Sequence, residues 1–235
     1  MKKIILALLC LSASPLLAQP EIIHQNLYWL RYYNILNFNQ KWSLHSEADT
    51  RHFFSNSVQH VLIFHSRAVY KANDKWSFGG ALTYSLQRPQ MPDITPRPTT
   101  PEYRIWQEAA YTLPLSTRLA LSGRIRTEQR FLSNHPGHFD NDNRFVFRHR
   151  YRAQLAYTLK EKSLAFRLSD EAFLTTFHQN LFEQNRFYLS VEKRFSRAVS
   201  LELGYMNVHQ LGRYAQRLYR RDNLRFTLMH TLRPM

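Results

Sequence analysis

A single cysteine, Cys10, stands in a chain of 235 residues. It lies within residues 1–18, a stretch with the make-up of a removable export signal. Lys2 and Lys3 lead, Ile4 to Leu9 begins an apolar run, and Leu16-Leu17-Ala18 puts a small residue before a cut at Gln19. The mature chain would then hold no cysteine, so disulfides are excluded and stability must come from another source. A lipoprotein cut needs a small residue before its cysteine, and Leu9 is not one. No run of 18 apolar residues follows residue 18, which excludes a transmembrane helix; the signal's own run is short of the roughly 20 residues a bilayer needs. Glycine is scarce, with 6 residues, and neither a phosphate-binding glycine loop nor a nucleophile elbow is present. Acidic residues number 17 against 32 Lys and Arg, a formal charge of +15, or +13 once Lys2 and Lys3 leave with the signal. So basic a chain fits nucleic acid, an anionic membrane surface or an arginine-lined interior. Export argues against nucleic acid, and the arginine positions separate the other two. No linker or shift in composition marks a second domain, so residues 19–235 are expected to form one unit.

Aromatic residues are plentiful, at 14% with 13 Tyr and 16 Phe, which favours strands. Polar and apolar residues alternate with period two, the strand signature. One face from Trp76 reads Trp76, Phe78, Gly80, Leu82, Tyr84 and Leu86, and the other reads Ser77, Gly79, Ala81, Thr83, Ser85 and Gln87. About eleven such segments appear: 24–38, 41–54, 57–71, 75–88, 102–113, 117–131, 142–159, 162–174, 184–196, 199–212 and 219–232. Most exceed the roughly 5–6 residues of ordinary strands and suit the roughly 9–11 of tilted membrane strands. Short connections (39–40, 72–74, 114–116, 160–161, 196–197) alternate with longer ones near 89–101, 132–141, 175–183 and 210–218, as in outer-membrane barrels. The 89–101 stretch carries Pro89, Pro92, Pro96, Pro98 and Pro101, too many to join a ladder. The expected fold is all-β, a single antiparallel transmembrane barrel of ten to twelve strands. Eleven is odd where single-chain bacterial barrels are usually even, and the loop order makes 24–38 run down toward the short turns. Twelve is therefore preferred, with an N-terminal segment threading the lumen as the other way out.

The charged faces carry the functional signal. Arg104, Glu108, Arg124, Arg126, Glu128, Arg130, Arg148, Arg150, Arg152, Arg167, Glu171, Arg186, Glu192, Arg194 and Glu202 all fall opposite the apolar faces. An Arg facing lipid at the midplane costs about 2–4 kcal/mol, so these groups are expected inside. There they form either a structural Arg–Glu core that fixes register or a path or site for a small anionic ligand. Trp29, Trp42, Trp76 and Trp106 are expected in interfacial aromatic belts, with core packing as the alternative. His135, His138, Asp140 and Asp142 share a loop without the spacing of a metal site, so no metal and no cofactor is expected. No catalytic residue is identified.

The segments resemble a family of bacterial exported proteins, the Bacteroidetes-type outer-membrane proteins of domain of unknown function 2490. The resemblance rests on Trp42-Ser43-Leu44-His45, Lys75-Trp76-Ser77, Glu102-Tyr103-Arg104-Ile105-Trp106 and Arg124-Ile125-Arg126-Thr127-Glu128-Gln129-Arg130-Phe131. It rests also on Asn143-Arg144-Phe145 with Arg148, Arg150-Tyr151-Arg152, Asp170-Glu171-Ala172-Phe173, Asn185-Arg186-Phe187 and Leu203-Gly204-Tyr205-Met206-Asn207. It covers nearly all of the mature chain and implies an outer-membrane barrel without an established activity. One departure is the ending Arg233-Pro234-Met235, where such barrels usually finish on an aromatic residue.

The first expectation is thus a non-enzymatic outer-membrane barrel, monomeric, bounded by membrane lipid, serving as a structural, binding or narrow transport protein for small anionic solutes. A barrel-borne enzyme acting on lipid or lipopolysaccharide, and a soluble periplasmic β-barrel binder, are the alternatives.

Overall fold

The computed structural model describes residues 20–135, 143–176, 181–212 and 217–232. Residues 1–18, expected from the sequence to be an export signal, lie outside the described residues. Eleven strands follow one another: β1 (Glu21–Asn37), β2 (Trp42–Phe53), β3 (Gln59–Lys71), β4 (Trp76–Gln87), β5 (Thr100–Pro114) and β6 (Leu119–Ser133), then β7 (Asn143–Leu159), β8 (Leu164–Thr175), β9 (Phe182–Arg194), β10 (Val199–Leu211) and β11 (Arg217–Leu232). They close into one barrel in which each strand pairs antiparallel with its chain neighbours. Among the described residues, helix is confined to one 3-10 turn, Lys160–Lys162, and no helix is long and apolar enough to cross a membrane.

Every periodic segment becomes a strand, and the preferred count of twelve is corrected to eleven. An odd number forces the first and last strands to run the same way, and they do: β1 pairs with β11 in parallel from Glu21↔Arg217 to Leu36↔Leu232. The N-terminal segment is therefore a wall strand that does not thread the lumen, and 217–232 is the closing strand. Sixteen paired positions make this seam as continuous as the antiparallel ladders.

The short turns share one device. Asn39 Oδ1 accepts from the backbone N–H of Lys41 and Trp42, both at 2.8 Å. Asn73 does the same for Lys75 and Trp76 at 2.9 and 2.8 Å. Ser116 Oγ caps Arg118 and Leu119, and Ser196 Oγ caps Ala198 and Val199, at 3.0–3.2 Å. A short side-chain acceptor at the turn start satisfies amides that the ladder leaves free. The fifth short turn uses Ser163 in the left-handed region (φ 51°) instead.

The barrel wall is amphipathic across its thickness. Leu30, Phe78, Leu82, Ile125, Leu155, Phe187, Leu203 and Phe226 face outward and are exposed. Outward polar side chains bond to one another across strands, as Gln129 does to Gln107 at 3.3 Å and Asn185 to Asp170 at 3.0 Å. Trp42 and Trp76 stand exposed at the short-turn rim beside Tyr70 and Tyr111, with ring centroids 4.8 and 4.9 Å apart. Trp29 and Trp106 break the expected belt, for both are buried in the lumen. They share strand parity with the inward charges Arg31 and Arg104, and parity outweighs aromatic preference.

Candidate functional site

The period-two pattern sends one side of every strand into the lumen, where a cavity of about 430 Å³ is lined by fourteen arginines. Nine carboxylates (Glu47, Asp49, Glu102, Glu108, Glu128, Glu171, Glu183, Glu192 and Glu202) share these inward positions. The named groups thus leave an excess of five positive charges.

Most of the arginines are tied in place by carboxylates. Glu102, fully buried, accepts from Arg104 Nε at 2.7 Å and from Arg130. Glu108 accepts from Arg126 Nη2 at 2.7 Å and from Arg67, with Arg124 at 3.5 Å. Glu128 accepts from Arg148 Nε at 2.9 Å and Arg150 Nη1 at 2.8 Å. Glu171 takes Arg150 through both oxygens, at 3.1 and 2.8 Å, and takes Arg124 as well. Glu202 accepts from Arg225 at 2.9 Å, Arg167 at 3.1 Å and the Tyr188 hydroxyl at 2.7 Å, while Glu192 accepts from Arg167. The planar guanidinium fork allows each Arg to bridge two acceptors, which Lys could not do with the same geometry. Aromatic rings supply further seats: Arg126 lies 3.6 Å over Trp106 and Arg150 4.4 Å over Phe173.

Of the fifteen charged residues expected inside, fourteen are brought to this interior. Arg194 has the right parity but is exposed at the short-turn rim, because its strand ends there. Arg152 and Arg186 line the cavity with no carboxylate within 4.0 Å among the described residues. Arg31, Glu47, Asp49, Arg51, Arg67, Glu102, Glu183, Arg221 and Arg225 belong to the same interior and were not among those expected. Those on β1, β2, β3 and β11 sit where aromatic and His residues blur the alternation. Glu183 and His60 were hidden by register shifts. Phe173 pairs with Gln184 and Leu174 with Phe182, so Glu183 is an extra residue turned inward, where Arg130 and Arg148 reach it at 3.3 and 3.2 Å. Arg51 pairs with Val61 and His52 with Gln59, leaving His60 as the extra residue, also buried against the cavity. Bulges re-aim side chains in this way, and a period-two reading cannot see them.

The proline-rich segment 88–99 folds back over the opening at the long-loop end. Gln90 reaches Gln25 through its carbonyl at 2.8 Å and Arg221 through its side chain at 2.5 Å. Arg97 secures the segment internally by donating to the carbonyls of Met91 and Pro92 at 2.8 and 2.7 Å. Among the described residues no group of three or more His, Cys, Asp or Glu is placed to hold a metal; His138, Asp140 and Asp142 lie outside them.

No curated protein matches the chain. The model of the protein family of unknown function DUF2490 matches residues 26–218, which span the barrel from β1 into β11. The chain therefore belongs to the DUF2490 family.

Proposed function

We propose that this protein is an outer-membrane barrel, exported through residues 1–18, whose capped cationic lumen binds small anions and allows at most narrow passage. One observation carries the reading: apolar and aromatic side chains dominate the outside of the wall while its charges turn inward. In water this arrangement would waste apolar surface, whereas in a bilayer it removes that surface from water and satisfies every strand within a closed ladder. The alternation of short turns and longer loops fits short periplasmic turns and outer loops, an orientation in which β1 starts at the outer rim and β11 ends at the periplasmic one. A binding or narrow-transport role is favoured over catalysis, because the best-buried carboxylates are already committed to guanidinium groups. The excess of arginine over acid selects anions by the rule that charged rings set selectivity.

Cell fractionation and planar-bilayer recording test this. The expected result is recovery with the outer membrane, solubilised only by detergent, and small or absent conductance with anion preference. Recovery in the soluble periplasm would overturn the membrane assignment, and a large stable conductance would overturn the filled lumen.

A further inference from the structure

The lumen charges are not evenly compensated. Around much of the lumen, Glu108, Glu128, Glu171 and Glu202 each hold two or more guanidinium groups. Beneath the proline-rich cap the balance changes. Arg221 is buried, and each of its three nitrogens donates to a neutral amide oxygen: Gln25 at 2.8 Å, Gln210 at 2.7 Å and Gln90 at 2.5 Å. Arg186 has no carboxylate within 4.0 Å among the described residues; it rests 4.5 Å over Phe173 and donates to the neutral Gln184 side chain at 3.5 Å. Arg51 is paired with Asp49 at 2.9 Å. Arg51 and Arg186 both stand over the Trp29 ring, 3.8 and 5.6 Å from its centroid, and Arg51 repels both Arg186 and Arg221. Beneath Arg51 and Arg186, Trp29, only 5% exposed, has an indole N–H with no hydrogen-bond partner.

Three guanidinium groups, one carboxylate and an orphaned buried donor lining one cavity form a set of charges short of acids. Buried donors are normally satisfied, and like charges at this spacing repel unless an anion lies between them. We infer that Arg51, Arg186, Arg221 and the Trp29 indole N–H form a binding site for a compact divalent oxyanion of the phosphate or sulfate type. A dianion matches the local excess of positive charge. Its several oxygens match donors that line one cavity from β1, β2, β9 and β11, and guanidinium forks suit tetrahedral oxyanions. The Gln90 side chain, already on Arg221, makes the proline-rich segment the roof of the site. The inference rests on the reading of the lumen as an anion-binding chamber and narrows it to one place and one class of ligand.

The test uses the full mature protein in detergent, titrated with sodium phosphate or sulfate at constant ionic strength, with chloride and acetate as controls. Thermal unfolding and tryptophan fluorescence are the readouts. Phosphate and sulfate are expected to raise the midpoint saturably, and chloride and acetate are not. Arg186→Gln and Arg221→Gln are expected to weaken binding about tenfold or more, the scale of a lost charge-assisted hydrogen bond. Arg194→Gln, on the exposed rim, is expected to bind as the parent does. Should either lumen variant fail to fold, Trp29→Phe keeps an aromatic face and every charge while removing the N–H, and weaker phosphate binding is expected from it too. Unchanged phosphate affinity in the folded lumen variants and Trp29→Phe would overturn this site. Saturable stabilisation by chloride or acetate without preference for the dianions would overturn it while leaving the anion-binding chamber standing. No response to any anion would overturn both.

Discussion

Glu128, 1% exposed, accepts a hydrogen bond from Arg150 Nη1 at 2.8 Å across the β6–β7 ladder, and the same arginine grips Glu171 with its other nitrogens. A carboxylate buried this deeply is stable only while its cations remain, and each of those cations is shared with a second acid.

Removing Glu128 is therefore expected to be costly. Glu128→Ala leaves Arg148 and Arg150 short of an acceptor and should destabilise the barrel by about 3–5 kcal/mol, the usual effect of breaking a buried pair. Urea unfolding in detergent measures it. A change below about 0.5 kcal/mol, the range of ordinary surface substitutions, would show that Glu128 is not a structural anchor.

The outer face gives a prediction tied to the membrane reading. Ile125 is outward and 55% exposed, between inward Arg124 and Arg126. Ile125→Arg should cost about 2–4 kcal/mol of stability in lipid if it sits near mid-bilayer, and much less in a soluble barrel. Comparing folding into vesicles for Ile125→Arg and Ile125→Thr reads the difference.

The parallel seam can be locked. Leu30 on β1 and Phe226 on β11 are paired positions, both outward. Strand spacing of about 4.8 Å places paired residues within disulfide reach. Leu30→Cys with Phe226→Cys should cross-link on oxidation and give a faster-migrating band on non-reducing gels. A twelve-stranded closure would separate the two and give no intramolecular product.

Gly204 is inward with the Tyr188 ring lying against it, where an added Cβ would collide with the ring. That ring must stay put for its hydroxyl to donate to Glu202 at 2.7 Å. Gly204→Ala is expected to cost about 1–3 kcal/mol through overpacking, and much less in a Tyr188→Ala background, where the ring is gone. Equal cost in both backgrounds would show that the ring is not the obstacle.

The cap also has a measurable role. Removing residues 90–97 deletes Gln90 and Arg97, and with them the contacts to Gln25, Arg221 and Gln59. Single-channel conductance in bilayers should rise above that of the parent protein, and an unchanged value would place the barrier deeper in the lumen.

How much of this was legible beforehand depends on the element. The Trp76–Gln87 and Arg144–Tyr157 stretches read directly as two-faced strands, because each side chain has one clear environment. Glu183 and His60 did not, since an inserted residue reverses parity locally and leaves no mark in composition. Trp29 and Trp106 were assigned to a belt by residue type, when their neighbours' parity already placed them inside.

Sequence alone determined the strands, the direction each face must point and the concentration of arginine on one side. These are local consequences of alternation and of the cost of charge in an apolar medium. Tertiary structure decided how the sheet closes and which acid meets which base. The parallel β1–β11 seam depends on how many strands complete the circle, and the pairing of Arg150 with Glu128 and Glu171 depends on stagger between neighbouring strands. Both are properties of the closed barrel, and no single strand carries them.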